Sequence, residues 1–510
     1  MMIMKIRLLA TSDVHGVLSP YQYSDRKLAE QGLARLSGHI RRLRHENTLL
    51  IDNGDVLEGC PLNFYHAAYE KDTRHPMADA LNYLKYDYYN LGNHDFNYGY
   101  DMQHRYMRDV QAKCLTGNIC EHGQVVGAEY TIHEFDSNHR IALIGVTTQH
   151  IPVWEHAEHI EHNTFENAFD FVKRTVQTIK ETEQVNGIAV VYHGGFEKDL
   201  VSGKETEAQT GENLGYKMCA EIEGFDVMIT GHQHRSLATT CCGKAVTQTA
   251  FNGKELAVVD WDLETGEITT ELLKANQEVD EDLMALFAEK EARTQQWLDQ
   301  PLGVVKGGDL LIDDLFEARV HKHPLVSFLN QVQLSVSNAQ LSANALFNDA
   351  KGFRHEITMR DLVSTYVYPN TLVVLKMTGS ILRRYIEKCA EYFDIKNSEL
   401  CVAHRFVWPK PQHYNYDMVE GVDYVLDIRK PEGQRIVSLT YQGKEVQDED
   451  EFTMVVSNYR AGGGGDFSMV KECEVVKTIQ NDMVSCMAEY LSAHPELEVN
   501  HKENIKIIYK

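Results

Sequence analysis

Five apolar runs punctuate the first half of the chain, each closed by polar or turn-forming residues: KIRLLAT (5–11), NTLLIDN (47–53), YDYYNL (86–91), GIAVVY (187–192) and FDVMIT (225–230). Short continuous runs of this kind predict strands buried on both faces, as in a sheet covered by helices. The second half reads differently. HKHPLVSFLNQVQLSVSNAQ (321–340) predicts a helical region, TLVVLKMTG (371–379) a strand and turn, and SILRRYIEKCAEYF (380–393) a helix with Leu382, Tyr385, Ile386 and Cys389 on one face. VDYVLDI, RIVSLTYQGK and EFTMVVSN read as further strands. Between the halves, Leu283, Leu286, Phe287 and Trp297 recur at roughly helical spacing in a charged background, which predicts a connecting helix ending near Pro301. The expected organisation is therefore an α/β domain over 1–271, a linker helix over 272–302 and a smaller α/β domain over 303–510. No repeat of solenoid period interrupts it.

At 510 residues the chain exceeds what one core organises. Its 43% hydrophobic and 25% charged content fits a soluble globular protein, and no apolar segment reaches bilayer-spanning length. A formal net charge of −25 argues against a nucleic-acid polymer as partner, since such binding depends on Lys and Arg neutralising phosphates. The ten cysteines show no CxxC spacing, and adjacent Cys241 and Cys242 seldom bridge, so reduced thiols are expected. MMIMKIRLLATSD enters the first strand without the features of a signal peptide; the expected location is the cytoplasm.

The chemistry sits just after the five runs. ATSDVHG places Asp13 and His15 there, DNGDV places Asp55, LGNHDF places Asn93 and His94, VYHGG places His193, and TGHQH places His232 and His234. Loops at the carboxyl ends of strands in an α/β sheet converge on one edge, where ligands bind. Carboxylate, amide and imidazole groups delivered to one place predict a centre for two divalent ions, with Asp55 as the bridge. One ion would take Asp13, His15, Asp55 and His234, the other Asp55, Asn93, His193 and His232. Nitrogen and oxygen donors without thiolate favour Mn²⁺, Zn²⁺, Fe²⁺ or Co²⁺ over Ca²⁺. His156, His159 and His162, spaced as on one helical face, and His321 with His323, lack the partners that complete a metal site.

The ordered set DxH, GD, GNHD, H and GHxH resembles that of the calcineurin-like metallophosphoesterases. NTLLIDNGDVLEGCPLNFY, HPMADALNYLKYDYYNLGNHDFNYGYD and VVSNYRAGGGGDF resemble the two-domain 5′-nucleotidase family, most closely its 2′,3′-cyclic-nucleotide 2′-phosphodiesterase/3′-nucleotidase branch. The resemblance implies a four-layer α/β/β/α metallophosphoesterase domain joined to a nucleotide-binding domain. It implies that His94 contacts the scissile phosphate and assists the leaving group, oriented by Asn97, where 5′-nucleotidases carry Asp, or by Asp95. It also implies that Tyr368 and Tyr459 clamp the nucleobase by stacking. The glycine run 462–465 has no P-loop ending and is expected to shape the nucleoside pocket, with Asp466 a candidate ribose partner.

The 5′-nucleotidases carry an Asn-Gly-Gly-Gly-Ile-Arg stretch whose Arg helps hold phosphate; the corresponding NAQLSANALFNDAKGF has no Arg before Arg354. The expected activity is hydrolysis of 2′,3′-cyclic nucleotides and then 3′-nucleotides, with a domain hinge near the linker. The rivals are a 5′-nucleotidase or nucleotide-sugar hydrolase, and a catalytically silent nucleotide-binding module.

Overall fold

A computed structural model describes residues 5–207, 209–368, 370–479 and 481–510. The chain divides into two compact units, Met1–Thr294 and Gln295–Lys510.

In the first unit, two six-stranded sheets pack face to face. Lys5–Thr11, Thr48–Asp52 and Tyr88–Tyr89 are consecutive parallel neighbours in one sheet, with Thr11 opposite Asp52 and Asp52 opposite Tyr89. Arg140–Thr147, Gly187–His193 and Val227–Thr230 are parallel neighbours in the other, with Thr147 opposite His193 and Tyr192 opposite Thr230. Side chains from both sheets, among them Leu8, Ile51, Leu143, Val191 and Ile229, form the core between them. Ala168–Thr182 and Gly215–Glu221 bury Phe171, Val172, Val176, Met218 and Cys219 against the outer face of the second sheet. The layering is α/β/β/α. The predicted strands appear, with the one expected over 86–91 reduced to Tyr88–Tyr89. Every ligand-bearing loop leaves the carboxyl end of a parallel strand.

Hydrogen bonds from buried side-chain amides to backbone carbonyls tie the two sheets at that end. The Asn53 amide donates to the Tyr192 carbonyl at 3.0 Å, and the Asn90 amide donates to the Val146 carbonyl at 2.8 Å. No helix among the described residues is long and apolar enough to cross a membrane.

The linker departs from expectation. It holds two helices, Glu281–Leu286 and Ala288–Leu298, because buried Phe287 (φ −120°, ψ 14°) interrupts the run. Leu286 is half exposed rather than part of an inward face. The second helix ends at Leu298, close to Pro301 as expected, and Pro301 begins a strand, Pro301–Val305.

The second unit is built around a five-stranded mixed sheet. Leu372–Thr378 pairs antiparallel with Glu451–Ser457, and Leu372 lies opposite Ser457. The helices Pro324–Ser337 and Gly379–Ala390 supply core residues, and Leu382, Tyr385, Ile386 and Cys389 are all buried as their spacing predicts. All ten cysteines are free thiols.

Candidate metal centre

The strand-end loops bring their ligands together in two groups. Asp13, His15 and His234 form one; Asp55, His193 and His232 form the other, and within each the candidate donor atoms lie within 4.8 Å of one another. Asn93 joins the second group, its Oδ1 2.8 Å from His232 Nδ1 and 3.2 Å from His193 Nε2. Asp13, His15, Asp55, His232 and His234 all have left-handed backbones, with φ between 52° and 67°. Such conformations are uncommon outside glycine and cluster at functional sites. Here they turn successive side chains inward from tight loops, which are tied together where the amides of Asp13 and His15 donate to the carbonyls of Gly54 and Asp55.

The donor set fits cations. His15 Nδ1 lies 2.9 Å from the Glu58 carbonyl, which can only accept, so Nδ1 carries the proton. Burial, helped by His234, pulls the His15 pKa down to about 4, so its Nε2 is a bare lone pair. That lone pair meets His234 Nε2 at 3.1 Å. His193 Nδ1 donates likewise to the Asn53 carbonyl at 2.6 Å, directing Nε2 toward Asp55 Oδ2 at 3.1 Å. Asp55 Oδ2 is buried and faces the His193 ring of the same ligand group. Without a cation, burial disfavours the His193 imidazolium, but the Asp55 charge outweighs it and drives the ring up to about 10. Facing donor atoms and a buried carboxylate oxygen turned toward them are what divalent ions would satisfy.

Supporting groups hold the ligands. His232 Nε2 lies 2.8 Å from Glu212 Oε1. Trp154 stacks on His232 at 5.4 Å between ring centres, and Phe251 on His234 at 4.9 Å.

His94 lies beside the ligands rather than among them. Its Nδ1 is 2.6 Å from Asn97 Oδ1 and 3.2 Å from Glu58 Oε2. Burial opposes its charged form, but Asp55, Glu58 and the Asn97 hydrogen bond together leave its pKa raised. Burial pushes the Glu58 carboxyl up to about 7. Asp95 is a correction: it does not orient His94. Its carboxylate accepts the amides of Asp55, Val56, Leu57 and Gly92 at 2.7–3.0 Å, organising the loop backbone.

In the second unit, Tyr368 precedes Leu372 by four residues and Tyr459 follows Ser457 by two. The Leu372–Ser457 register therefore places both tyrosines at one end of one strand pair. Tyr368 packs edge-on against Phe347 at 5.2 Å, and the Tyr459 hydroxyl donates to Asn415 Oδ1 at 3.3 Å. The glycine run is a hydrogen-bonded turn: Gly464 donates to the Tyr459 carbonyl at 3.0 Å, and a Cβ on Gly464 would lie 2.5 Å from the Tyr459 ring. Asp466 is exposed with φ 64°. Beneath this loop, buried Arg460 makes a two-pronged ion pair with Asp417 at 2.8 and 3.0 Å and covers Phe467 at 3.8 Å.

Glu58, Glu155, Glu212, Asn53 and Arg460 escaped sequence reasoning. Glu58 had a local signal, an acidic residue three positions after Asp55. Glu155 and Glu212 had none, because the site residues they reach, Asn97 and His232, lie 58 and 20 positions away. The remaining histidines stay outside the ligand groups. Ala157–His159 is a short 3₁₀ turn rather than a helical face, His162 packs against Tyr100 and His122, His321 pairs with Glu317, and His323 caps the Pro324–Ser337 helix.

Comparison with known proteins bears on both units. The family described as calcineurin-like phosphoesterase matches residues 6–236, and that described as 5′-nucleotidase, C-terminal domain, matches residues 302–472. The trifunctional nucleotide phosphoesterase protein YfkN of Bacillus subtilis is 25% identical over 97% of the chain, which spans 38% of that protein. A 2′,3′-cyclic-nucleotide 2′-phosphodiesterase/3′-nucleotidase of Haemophilus influenzae is 27% identical over 97% of the chain and 85% of its own length. The crystal structure of a putative 5′-nucleotidase from Staphylococcus aureus in complex with alpha-ketoglutarate superimposes with a TM-score of 0.92 at 35% identity, covering 99% of this chain and all of that one.

Proposed function

We propose, for a chain that belongs to the calcineurin-like phosphoesterases with a 5′-nucleotidase C-terminal domain, that its substrates are 2′,3′-cyclic nucleotides and then 3′-nucleotides. Family membership makes it a hydrolase of phosphoester bonds. The observation that carries the reading is the pair of largely buried ligand groups at one strand edge, with His94 beside them but outside both. Asp13, His15 and His234 would hold one divalent ion, Asn93, His193 and His232 the other, with Asp55 between them. Bound there, the ions supply the positive charge that an in-line displacement at phosphorus needs.

The chain's own groups do the rest. Asp55 Oδ1 accepts the His94 amide at 2.7 Å, fixing that residue's backbone beside the ligands. His94 assists the departing ribose oxygen, and Tyr459 and Tyr368 in the second unit bind the base. The cyclic-nucleotide preference is supported by relatives of that name and by the stretch from Asn338 to Phe353, which contains no Arg to hold a terminal phosphate. A 5′-nucleotidase reading is favoured by the name given to the Staphylococcus aureus protein and by relatives of that name at 22% identity.

Parallel assays of 2′,3′-cyclic AMP, 3′-AMP and 5′-AMP with added Mn²⁺ decide between them. The cyclic and 3′ substrates are expected to dominate kcat/KM, and a strong preference for 5′-AMP overturns the proposal. Tyr459→Ala should chiefly raise KM for nucleotides, by roughly 5- to 150-fold if stacking contributes about 1–3 kcal/mol. An unchanged KM removes Tyr459 from base binding.

A further inference from the structure

The hydrogen bonds around Asn97 form a chain with only one self-consistent direction. Asn97 is the residue at which the Asn93–Phe96 3₁₀ turn ends. Its amide lies between His94 Nδ1, 2.6 Å from Asn97 Oδ1, and Glu155 Oε2, 2.7 Å from Asn97 Nδ2. Glu155 follows the short helix Ile151–Trp154, whose Trp154 stacks on His232. Its side chain is 3% exposed. Its other oxygen, Oε1, accepts from the His156 amide and His159 Nδ1, both at 2.8 Å. These bonds favour the ionised carboxylate strongly enough to leave its pKa lowered in spite of burial.

A carboxylate only accepts, so Asn97 must turn its NH₂ toward Glu155. Asn97 Oδ1 must then face His94, and His94 Nδ1 must carry a proton. The orientation of an amide and the tautomer of an imidazole, neither of which a side chain sets by itself, are thus dictated by a carboxylate 61 residues along the sequence from His94.

We propose that Glu155 is a positioning residue that, acting through the Asn97 amide, holds His94 in the Nδ1–H tautomer and leaves Nε2 as the atom that exchanges a proton with substrate. Glu58 Oε2, 3.2 Å from the same Nδ1, reinforces that tautomer but does not orient Asn97. The inference rests on the reading that His94 takes part in the reaction, and its test separates the two.

The test compares wild type with E155Q, N97D and the double variant N97D/E155Q. Selective ¹⁵N-histidine spectra of the metal-free proteins, with the His94 signal assigned by its loss in His94→Gln, report the tautomer. Turnover of bis-p-nitrophenyl phosphate with Mn²⁺ reports kcat and KM. At a pH high enough to keep His94 neutral, wild type should show a single Nδ1–H tautomer, and E155Q a mixture. E155Q should lose about 10–100-fold in kcat with KM and metal stoichiometry unchanged, the usual scale for removing an orienting partner. N97D alone sets two carboxylates against each other and should also lose activity. N97D/E155Q rebuilds the chain with the charge one position nearer the ring. The amide introduced at position 155 then donates to the carboxylate introduced at position 97, and that carboxylate accepts from His94. The double variant should recover most of the lost kcat. Losses that merely add in the double variant, or an E155Q protein with wild-type kcat and an unchanged tautomer, overturn the proposal. A tautomer released in E155Q alongside a kinetically silent His94→Gln supports the positioning role and counts only against the part given to His94 in catalysis.

Discussion

Replacing Gly92 by alanine tests how closely the loops must approach to assemble the centre. Gly92 has φ −100° and ψ 179°, a conformation open to any residue, so alanine brings no backbone penalty. The cost is steric. A Cβ built there lies 2.1 Å from Asp55 Oδ1, 2.5 Å from the Asp55 amide nitrogen and 2.7 Å from His193 Cε1. None of these atoms belongs to a flexible side-chain end, since Asp55 and His193 are both buried. To reach an ordinary contact of 3.4 Å, the Asp55 carboxylate must move by about 1.3 Å relative to Gly92. Overpacking of this kind costs about 1–3 kcal/mol. A shift of about 1 Å in a positioned group costs on the order of 10²-fold in rate. Gly92→Ala should therefore fold, melt several degrees lower, and lose on the order of 100-fold in kcat. It should also bind metal more weakly, because Asp55 is one of the candidate ligands. Calorimetry, metal analysis by mass spectrometry and turnover of bis-p-nitrophenyl phosphate give the three readings. A soluble Gly92→Ala protein with full metal content and wild-type kcat would refute the argument.

Asp55→Ala should abolish turnover and reduce bound metal, read by the same assay and analysis; full activity would remove Asp55 from the centre. Stripping metal with a chelator should lower the melting temperature of the first unit and restore it on adding Mn²⁺, since a ligand bound only to the folded state stabilises it. In the second unit, Arg460→Met should leave Asp417 as a buried, unpaired charge and cost about 3–5 kcal/mol, measured by urea unfolding. His66 gives a pH dependence. Burial, the largest cause, lowers its pKa from 6.5 to about 4, so above pH 6.5 it is neutral in both folded and unfolded chains. As pH falls from 6.5 toward 4 the unfolded chain takes up a proton that the folded chain refuses. Stability is lost across that window, by about 3 kcal/mol at 1.36 kcal/mol per unit. Urea midpoints of the metal-free protein at pH 7.5 and 4.5 should show a smaller fall in His66→Leu than in wild type, and equal falls would remove His66 from the account.

The candidate metal ligands were legible in the chain. Buried strands read as apolar runs whatever they pack against, and a residue just beyond such a run must emerge at a strand's carboxyl end. Asp13, His15, Asp55, Asn93, His193, His232 and His234 could be gathered on that rule alone. The helix carrying Leu382, Tyr385, Ile386 and Cys389 was legible for a similar reason, since period and burial are local properties of one segment. The linker was less so: its spacing suggested one helix, and only the burial of Phe287 decided that there are two.

What packing alone decided is which groups hold the ligands still. Asp95 sits next to His94 in sequence yet serves the backbone of the Asp55 loop, while Glu155, remote in sequence, reaches His94 through Asn97. Sequence proximity misleads here because a 3₁₀ turn sends adjacent side chains in different directions, and hydrogen-bond partners are chosen by sheet register and loop docking across tens to hundreds of positions. A chain can state which atoms are able to bind a cation; only the folded arrangement determines which proton each imidazole keeps and therefore which nitrogen it offers.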